Sequence, residues 1–329
     1  MNSSFDIDFV VTWVNGSDED WQKKRGFYQK KELPTKEVND EERYREMGSL
    51  ENWVKRVIKF APWVHNVFIV TDNQNIGFDL PDSRFKVVNH TDFIEHSYLP
   101  LFNSNSIEIN VDLIDGLAEH FVLFNDDFYL TSPVKRTDFF NEKGWPVEVG
   151  YMTILHASEL FQHITLNNMV YINRFFSKHE VVKNNFWKYF HPIYGLKNIQ
   201  SAFSLPWSEI LGWHDEHLTS AYRKSTFTKV HNLIPELRSI QTSNRFRKYS
   251  DVSHLLMKFW QIAEGEFVPR KPDSFGKFVT VSDDDQEHIL EALTGDWKVV
   301  CINDGKMDYS MAEKANQKLI ELLNTTLDA

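Results

Sequence analysis

The sequence predicts an α/β chain: a mainly parallel, Rossmann-like sheet flanked by helices, with a mostly helical insertion in the second half. Three observations carry that expectation. Short apolar runs alternate with amphipathic helical stretches through the first part of the chain, the pattern of crossover-connected parallel strands. Several of those runs stop on Asn or Asp: Asn15 to Asp18, Asp72-Asn73, Asn125 to Asp127 and Asn303-Asp304. From about Ala157 to Trp260 the pattern turns helical and is rich in Phe, His and Asn.

The elements follow in order. Asp8 to Val14 is an apolar, β-branched run halted by Asn15-Gly16, a strong turn dipeptide. Lys23 to Asp40 is charged and irregular and reads as a surface excursion. Arg43 to Phe60 reads as a helix, with Met47, Leu50, Val54, Val57 and Ile58 on one stripe and Ala61-Pro62 as its stop. Val67 to Val70 and Phe85 to Val88 are the next strands. Ser106 to Leu117 carries Ile107, Val111 and Ile114 in helical register, and Phe121 to Phe124 is the fourth strand. The expected organisation is an α/β core over 1–156, a helical lobe over 157–270, and a return to the core over 271–329. In that return, Ser282 to Asp285 caps a helix, Lys298 to Ile302 is a last strand, and Ala312 to Leu323 is a closing helix.

Composition narrows the function. Of 329 residues, 42% are hydrophobic and 25% charged, as in an ordinary globular protein. The net charge of −11 argues against broad attraction to nucleic acid or to an anionic membrane, leaving only local basic clusters to bind a phosphate. The single cysteine, Cys301, excludes an intrachain disulfide, fits a reducing compartment, and reads as a small buried residue. The amino terminus lacks a signal-peptide pattern, and no apolar run is long enough to cross a bilayer. Any membrane association is therefore expected to be peripheral.

The stretch FVLFNDDFYL, Phe121 to Leu130, poses the sharpest question. A buried, unpaired carboxylate is expensive, so Asp126 and Asp127 belong at a surface, in a pair, or on a cation. In a parallel sheet, ligands sit outside the carboxyl ends of the strands. That places the two acids at the rim of a cleft. Taken alone, Asn-Asp-Asp reads as well as a turn, and Asn15-Gly16 reads as a strand-ending turn.

Four blocks, in order, resemble the Stealth family of hexose-1-phosphoryl transferases, and they span nearly the whole chain. They are IDFVVTWVNGSD (Ile7 to Asp18); Arg43 to Gln74 with Tyr98 to Leu130; Leu211 to Val230 with Ser243 to Val252; and VVCINDG (Val299 to Gly305). The chain departs from the family pattern at Asn105 and Asn244, where His is expected, and near Asp112-Leu113, where a His-Arg pair is expected.

The resemblance implies a nucleotide-sugar transferase-like fold. It implies an enzyme that moves a sugar-1-phosphate from a nucleotide-sugar donor, such as a UDP-hexose or UDP-N-acetylhexosamine, to a sugar hydroxyl. The acceptor is a polysaccharide or lipid-linked oligosaccharide, the leaving group a nucleoside monophosphate, and the setting the bacterial cytoplasm at the inner face of the membrane. It implies His217 as base, with His214 in reserve, and Arg247 as phosphate clamp. Asp126 and Asp127 would bind a divalent cation, Mg²⁺ or Mn²⁺, and Asp127 also joins the catalytic set. Trp13, Asn15, Gly16, Asp18, Arg43, Arg245, Asn303 and Asp304 would shape the donor site. For Arg43, Arg245 and Arg247 the bland alternative is a solvated basic face. The competing functions are a metal-dependent glycosyltransferase, which would release nucleoside diphosphate, and a non-catalytic carbohydrate-binding protein.

Overall fold

The computed structural model describes residues 5–35, 39, 44, 49–157, 162–281, 286–304 and 309–328. Its centre is a five-stranded sheet. The strands are β1 (Ile7–Thr12), β2 (Val67–Thr71), β3 (Phe85–Asn89), β4 (His120–Asn125) and β7 (Ser220–Arg223), in the order β3-β2-β1-β4-β7. The first four run parallel and β7 is antiparallel to β4. Thr12 pairs with both Val70 and Asn125, so the carboxyl ends of β1, β2 and β4 lie level. The polar tips after these strands therefore emerge along one edge, as the strand endings predict.

Period-two alternation divides the sheet between two cores. Phe9, Val11, Val122 and Phe124 face one core; Val10, Phe68, Phe121 and Leu123 face the other. In the first core the helix α2 (Leu50–Phe60) buries Trp53, Val54 and Val57. Its Arg56 is buried and donates to Asn52 Oδ1 (2.6 Å), to the Leu130 carbonyl (3.0 Å) and to the Leu323 carbonyl (2.6 Å). That fan of bonds fastens the closing helix α12 (Tyr309–Asp328) to the core. The second core surrounds α10 (Leu255–Ala263), which is buried from Leu256 to Ala263. A helix buried on every side lies inside a domain, and its two polar side chains, Lys258 and Gln261, are bonded there.

A second sheet combines β5 (Phe128–Leu130), β10 (Val299–Asp304) and β9 (Gly276–Val281), and a third joins β6 (Val147–Glu148) to β8 (Val268–Pro269). Asn303-Asp304 thus ends a strand outside the main sheet. β10 crosses β5 antiparallel at Cys301↔Phe128, directly after the turn that holds Asp126 and Asp127.

Three sequence expectations need correction. Much of the supposed charged excursion is the helix α1 (Glu19–Glu32), which buries only Trp21 and Arg25 and so carries almost no apolar stripe. The helix expected over Ser106 to Leu117 is α4 (Ser104–Glu108) followed by a 3₁₀ turn at Val111–Leu113. The Asn110 side chain bonds to the Ser106 carbonyl (2.8 Å) and to Thr242 Oγ1 (2.8 Å), a polar competition that breaks the helix. The helical stretch also contains β7, whose SAYR sequence is too short and polar to show strand periodicity. Of the helix expected from Arg43, Leu50–Phe60 is observed; Arg43 and Met47 lie outside the described residues, as do Ser282 to Asp285.

Candidate active site

The level strand ends open onto a cleft of about 1110 Å³. Its walls include Thr12 and Trp13 after β1, Asn125 to Asp127 after β4, Ser104 to Glu108 on α4, His214 to Leu218, Arg247, His254 and Asn303. These segments span nearly the whole chain.

Asp127 sits in the turn between β4 and β5. Its carbonyl accepts the Ile302 N–H (2.9 Å), which ties the turn to β10. One carboxylate oxygen accepts the Cys301 thiol (3.4 Å); the other, Oδ1, is buried and has no hydrogen-bond partner. Burial raises the Asp127 pKa, and the nearby His217 opposes that rise. Burial and the Asp127 charge push the Cys301 thiol well up, so it stays protonated, as its apolar setting predicts. Among the described residues no group of three or more His, Cys, Asp and Glu side chains is placed to hold a metal ion alone. The orphaned Oδ1 beside Asp126 suits a hard cation whose remaining ligands come from phosphate and water.

His217 is exposed and holds a left-handed backbone (φ 52°). Its ring meets Phe128 edge-on at 5.8 Å and Phe278 at 5.3 Å. Asp215 Oδ2 accepts the His217 N–H (3.3 Å), and Asp215 Oδ1 receives the Lys258 Nζ (2.8 Å). Lys258, on α10, is buried between Asp215 and Glu148 (3.1 Å). Burial opposes ionisation of Asp215, but the lysine prevails and holds its pKa down at about 2. The loop carrying His217 is thereby anchored to the centre of the second core. His214 stacks on Tyr151 (4.9 Å), and burial lowers its pKa.

Arg247 arrives on a loop latched by buried Asp251. That carboxylate accepts the side-chain amides of Asn103 (2.8 Å), Asn244 (2.8 Å) and Asn105 (3.5 Å) and the Lys248 N–H (3.1 Å). Two departures from the family pattern, Asn105 and Asn244, therefore meet at one node. Arg247 Nη2 donates to Ser104 Oγ (2.9 Å).

Glu108 was not singled out from the sequence. It is 4% exposed, receives the Thr12 hydroxyl at 3.5 Å and lies 3.6 Å from His254 Nε2. Burial pushes its pKa up to about 7, against the pull of Arg247 and Thr12. The available signal was an acid between two isoleucines, Ile107 and Ile109, in a stretch expected to be an amphipathic helix.

The tip after β1 has a different character. The Asn15 N–H donates to Gln74 Oε1 (2.9 Å), and Gln74 Nε2 returns a bond to the Asn15 carbonyl (2.8 Å). Asn15 Oδ1 accepts the Ser17 N–H (2.9 Å), and Asp18 caps α1 by accepting the Trp21 N–H (2.9 Å). A Cβ on Gly16 would lie 1.7 Å from the Tyr44 carbonyl oxygen, so packing requires glycine there. Arg245 donates to the Pro100 carbonyl (2.7 Å), pairs with Glu32 and lies over the Tyr28 ring (4.3 Å). Asn15, Gly16, Asp18 and Arg245 are not part of the cleft wall, whereas Trp13 and Asn303 are. Arg43 and the Asp304 side chain lie outside what the structure describes.

Comparison with known proteins places the chain in a family. Residues 5–32 match Stealth protein CR1, conserved region 1, and residues 43–148 match Stealth protein CR2, conserved region 2. The capsular polysaccharide phosphotransferase WcwK of Streptococcus pneumoniae is 37% identical, over 95% of this chain and 93% of that protein. The exopolysaccharide phosphotransferase cps2G of Lactiplantibacillus plantarum is 38% identical, over 95% and 90%. The receptor polysaccharide phosphotransferase WefC of Streptococcus oralis is 38% identical, over 91% and 90%. With both conserved regions present and relatives aligned along almost its full length, the chain belongs to the Stealth family.

Proposed function

We propose that this enzyme transfers a sugar-1-phosphate from a nucleotide-sugar, a UDP-hexose or UDP-N-acetylhexosamine, to a sugar hydroxyl of a bacterial surface polysaccharide or its lipid-linked precursor. The observation that carries the reading is the convergence of Asp127, His217 and Arg247, from three distant segments, on one cleft. Their chemistry is what phosphoryl transfer requires: a base, a cation for the phosphoryl oxygens, and fixed geometry. The names of the relatives support the same class of reaction.

In this reading the acceptor oxygen bonds to the phosphorus attached to the donor sugar. The bond from that phosphorus to the bridging oxygen breaks, and nucleoside monophosphate leaves. The acceptor proton passes to His217, which the Phe128 and Phe278 rings and the Asp215 bond hold at the cleft mouth. Arg247 grips the phosphoryl group, with Glu108 behind it setting the local charge. Asp126 and Asp127 would hold a divalent cation, Mg²⁺ or Mn²⁺, which when bound neutralises charge on the donor diphosphate. Trp13 and Asn303 contribute cleft wall. Asn15, Gly16, Asp18 and Arg245 act by holding the surrounding backbone. The reaction is assigned to the bacterial cytoplasm, where nucleotide-sugars are made; among the described residues no helix is long and apolar enough to cross a membrane.

The test is incubation with a panel of UDP-sugars and an oligosaccharide acceptor, scoring the nucleotide released. UMP with a phosphodiester product supports the reading. UDP release replaces it with glycosyl transfer, and binding without turnover replaces it with a carbohydrate-binding role.

A further inference from the structure

Residues 174–207 depart from the rest of the molecule in charge and exposure. The chain as a whole carries −11, yet this stretch holds five Lys or Arg residues against one acid, Glu180; Arg174 faces Glu236 and Lys178 and Lys188 bond to backbone carbonyls, which leaves Lys183 and Lys197 to face outward. It folds as α6 (Lys178–Tyr189), a 3₁₀ segment (Pro192–Lys197) and α7 (Asn198–Ser204). The two helices are tied side by side. Buried Lys178, at the start of α6, donates to the carbonyls of Ser204, Leu205 (3.1 Å) and Trp207 (2.6 Å). At the other end, Ser201 Oγ donates to the Tyr189 carbonyl (3.3 Å). Val181, Tyr189, Ser201 and Ser204 point inward. Five large apolar side chains are left outside: Trp187 is 73% exposed, Leu196 84%, Ile199 52%, Phe203 69% and Trp207 59%.

Scattered exposed apolar residues need no explanation, but a run of this density marks a docking surface. Its chemistry selects the occupant. Exposed Trp and Phe with interspersed Lys183 and Lys197 match the boundary between acyl chains and anionic headgroups. An acidic protein needs a local basic patch to approach such a surface at all. The patch also adjoins the cleft: Gln200 on α7 accepts the hydroxyl of Thr153 (3.1 Å), and Thr153 and its half-exposed neighbour Ile154 line the cleft mouth.

We propose that the exposed face of α6 and α7 docks on an anionic phospholipid bilayer, presenting the cleft to the headgroup of a membrane-held acceptor. The purpose of the docking rests on the phosphotransfer reading; the docking itself does not.

The test is flotation of the full chain with vesicles of phosphatidylcholine alone or mixed with phosphatidylglycerol, in the absence of donor and acceptor. Co-flotation with the mixed vesicles, weakened by salt, is expected. Trp187→Ser with Phe203→Ser should lower vesicle partition about tenfold or more. Lys183→Glu with Lys197→Glu should do the same for the mixed vesicles while leaving the melting temperature in place. No flotation of the wild-type chain at low salt overturns the proposal. So does a concentration-dependent dimer that the Trp187 and Phe203 substitutions dissolve, since a second copy would then be the occupant. Because the assay contains no sugar nucleotide, its failure leaves the proposed reaction standing, and loss of the reaction leaves the assay interpretable.

Discussion

The tip after β1 and the wall formed by Asp127, Glu108, His217 and Arg247 are both built from family-block or block-adjacent residues, yet they spend their polar groups differently. At the β1 tip, Asn15, Gln74 and Asp18 direct their hydrogen bonds into local structure. In the cleft wall, Asp127 keeps an oxygen buried and unbonded, and Glu108 is held at a raised pKa. The first arrangement stabilises; the second holds electrostatic strain that a ligand could relieve. Lying within a shared sequence block therefore does not identify a role, whereas the state of the side chain's hydrogen bonds does.

Substitutions can break or sharpen that contrast. The largest effect is expected for Arg247→Ala and His217→Ala, each lowering donor turnover by ~10³-fold, read as UMP release. Asp127→Asn should do likewise while leaving the melting temperature unchanged or raised, because the orphaned charge is removed. Near-normal turnover in all three would erase the contrast.

Glu108→Gln comes next. The folded protein keeps the Glu108 proton up to about pH 7, whereas the ordinary value is 4.5, so the folded state binds more protons than the unfolded chain between those values. Wild-type stability should then fall as pH rises through that window, by about 3 kcal/mol relative to Glu108→Gln. Denaturant midpoints of the two proteins at pH 4.5 and 8 check this; parallel curves would refute it.

Gly16→Ala should cost about 2 kcal/mol, since its new methyl group meets backbone rather than a movable side chain. The smallest effect is expected for Asp18→Ala, about 1 kcal/mol from the lost helix cap, with the donor KM unchanged. A KM raised tenfold would move Asp18 into the donor site.

The four parallel strands of the main sheet were legible because such strands, buried on both faces, are continuous apolar runs, as in Val67–Thr71. Helix α1 was hidden because its one anchoring tryptophan leaves no stripe, and β7 because edge pairing needs little side-chain patterning. Within the site, Asp127, His217 and Arg247 were legible from the family blocks. Glu108 was not, since an acid's partners across the fold, here Thr12, Arg247 and His254, leave no trace at its own position. The Lys258–Asp215 support of the His217 loop was hidden for the same reason: its partners come from separate elements.

The pairing of β10 with β5 has a consequence for biosynthesis. Cys301 and Ile302 clasp the Asp127 turn from some 170 residues downstream along the polypeptide. Contacts of such long sequence separation form late and slowly. A nascent chain that has already made its four parallel strands still lacks the floor under Asp127, so the candidate site is assembled only after the residues of β10 have emerged.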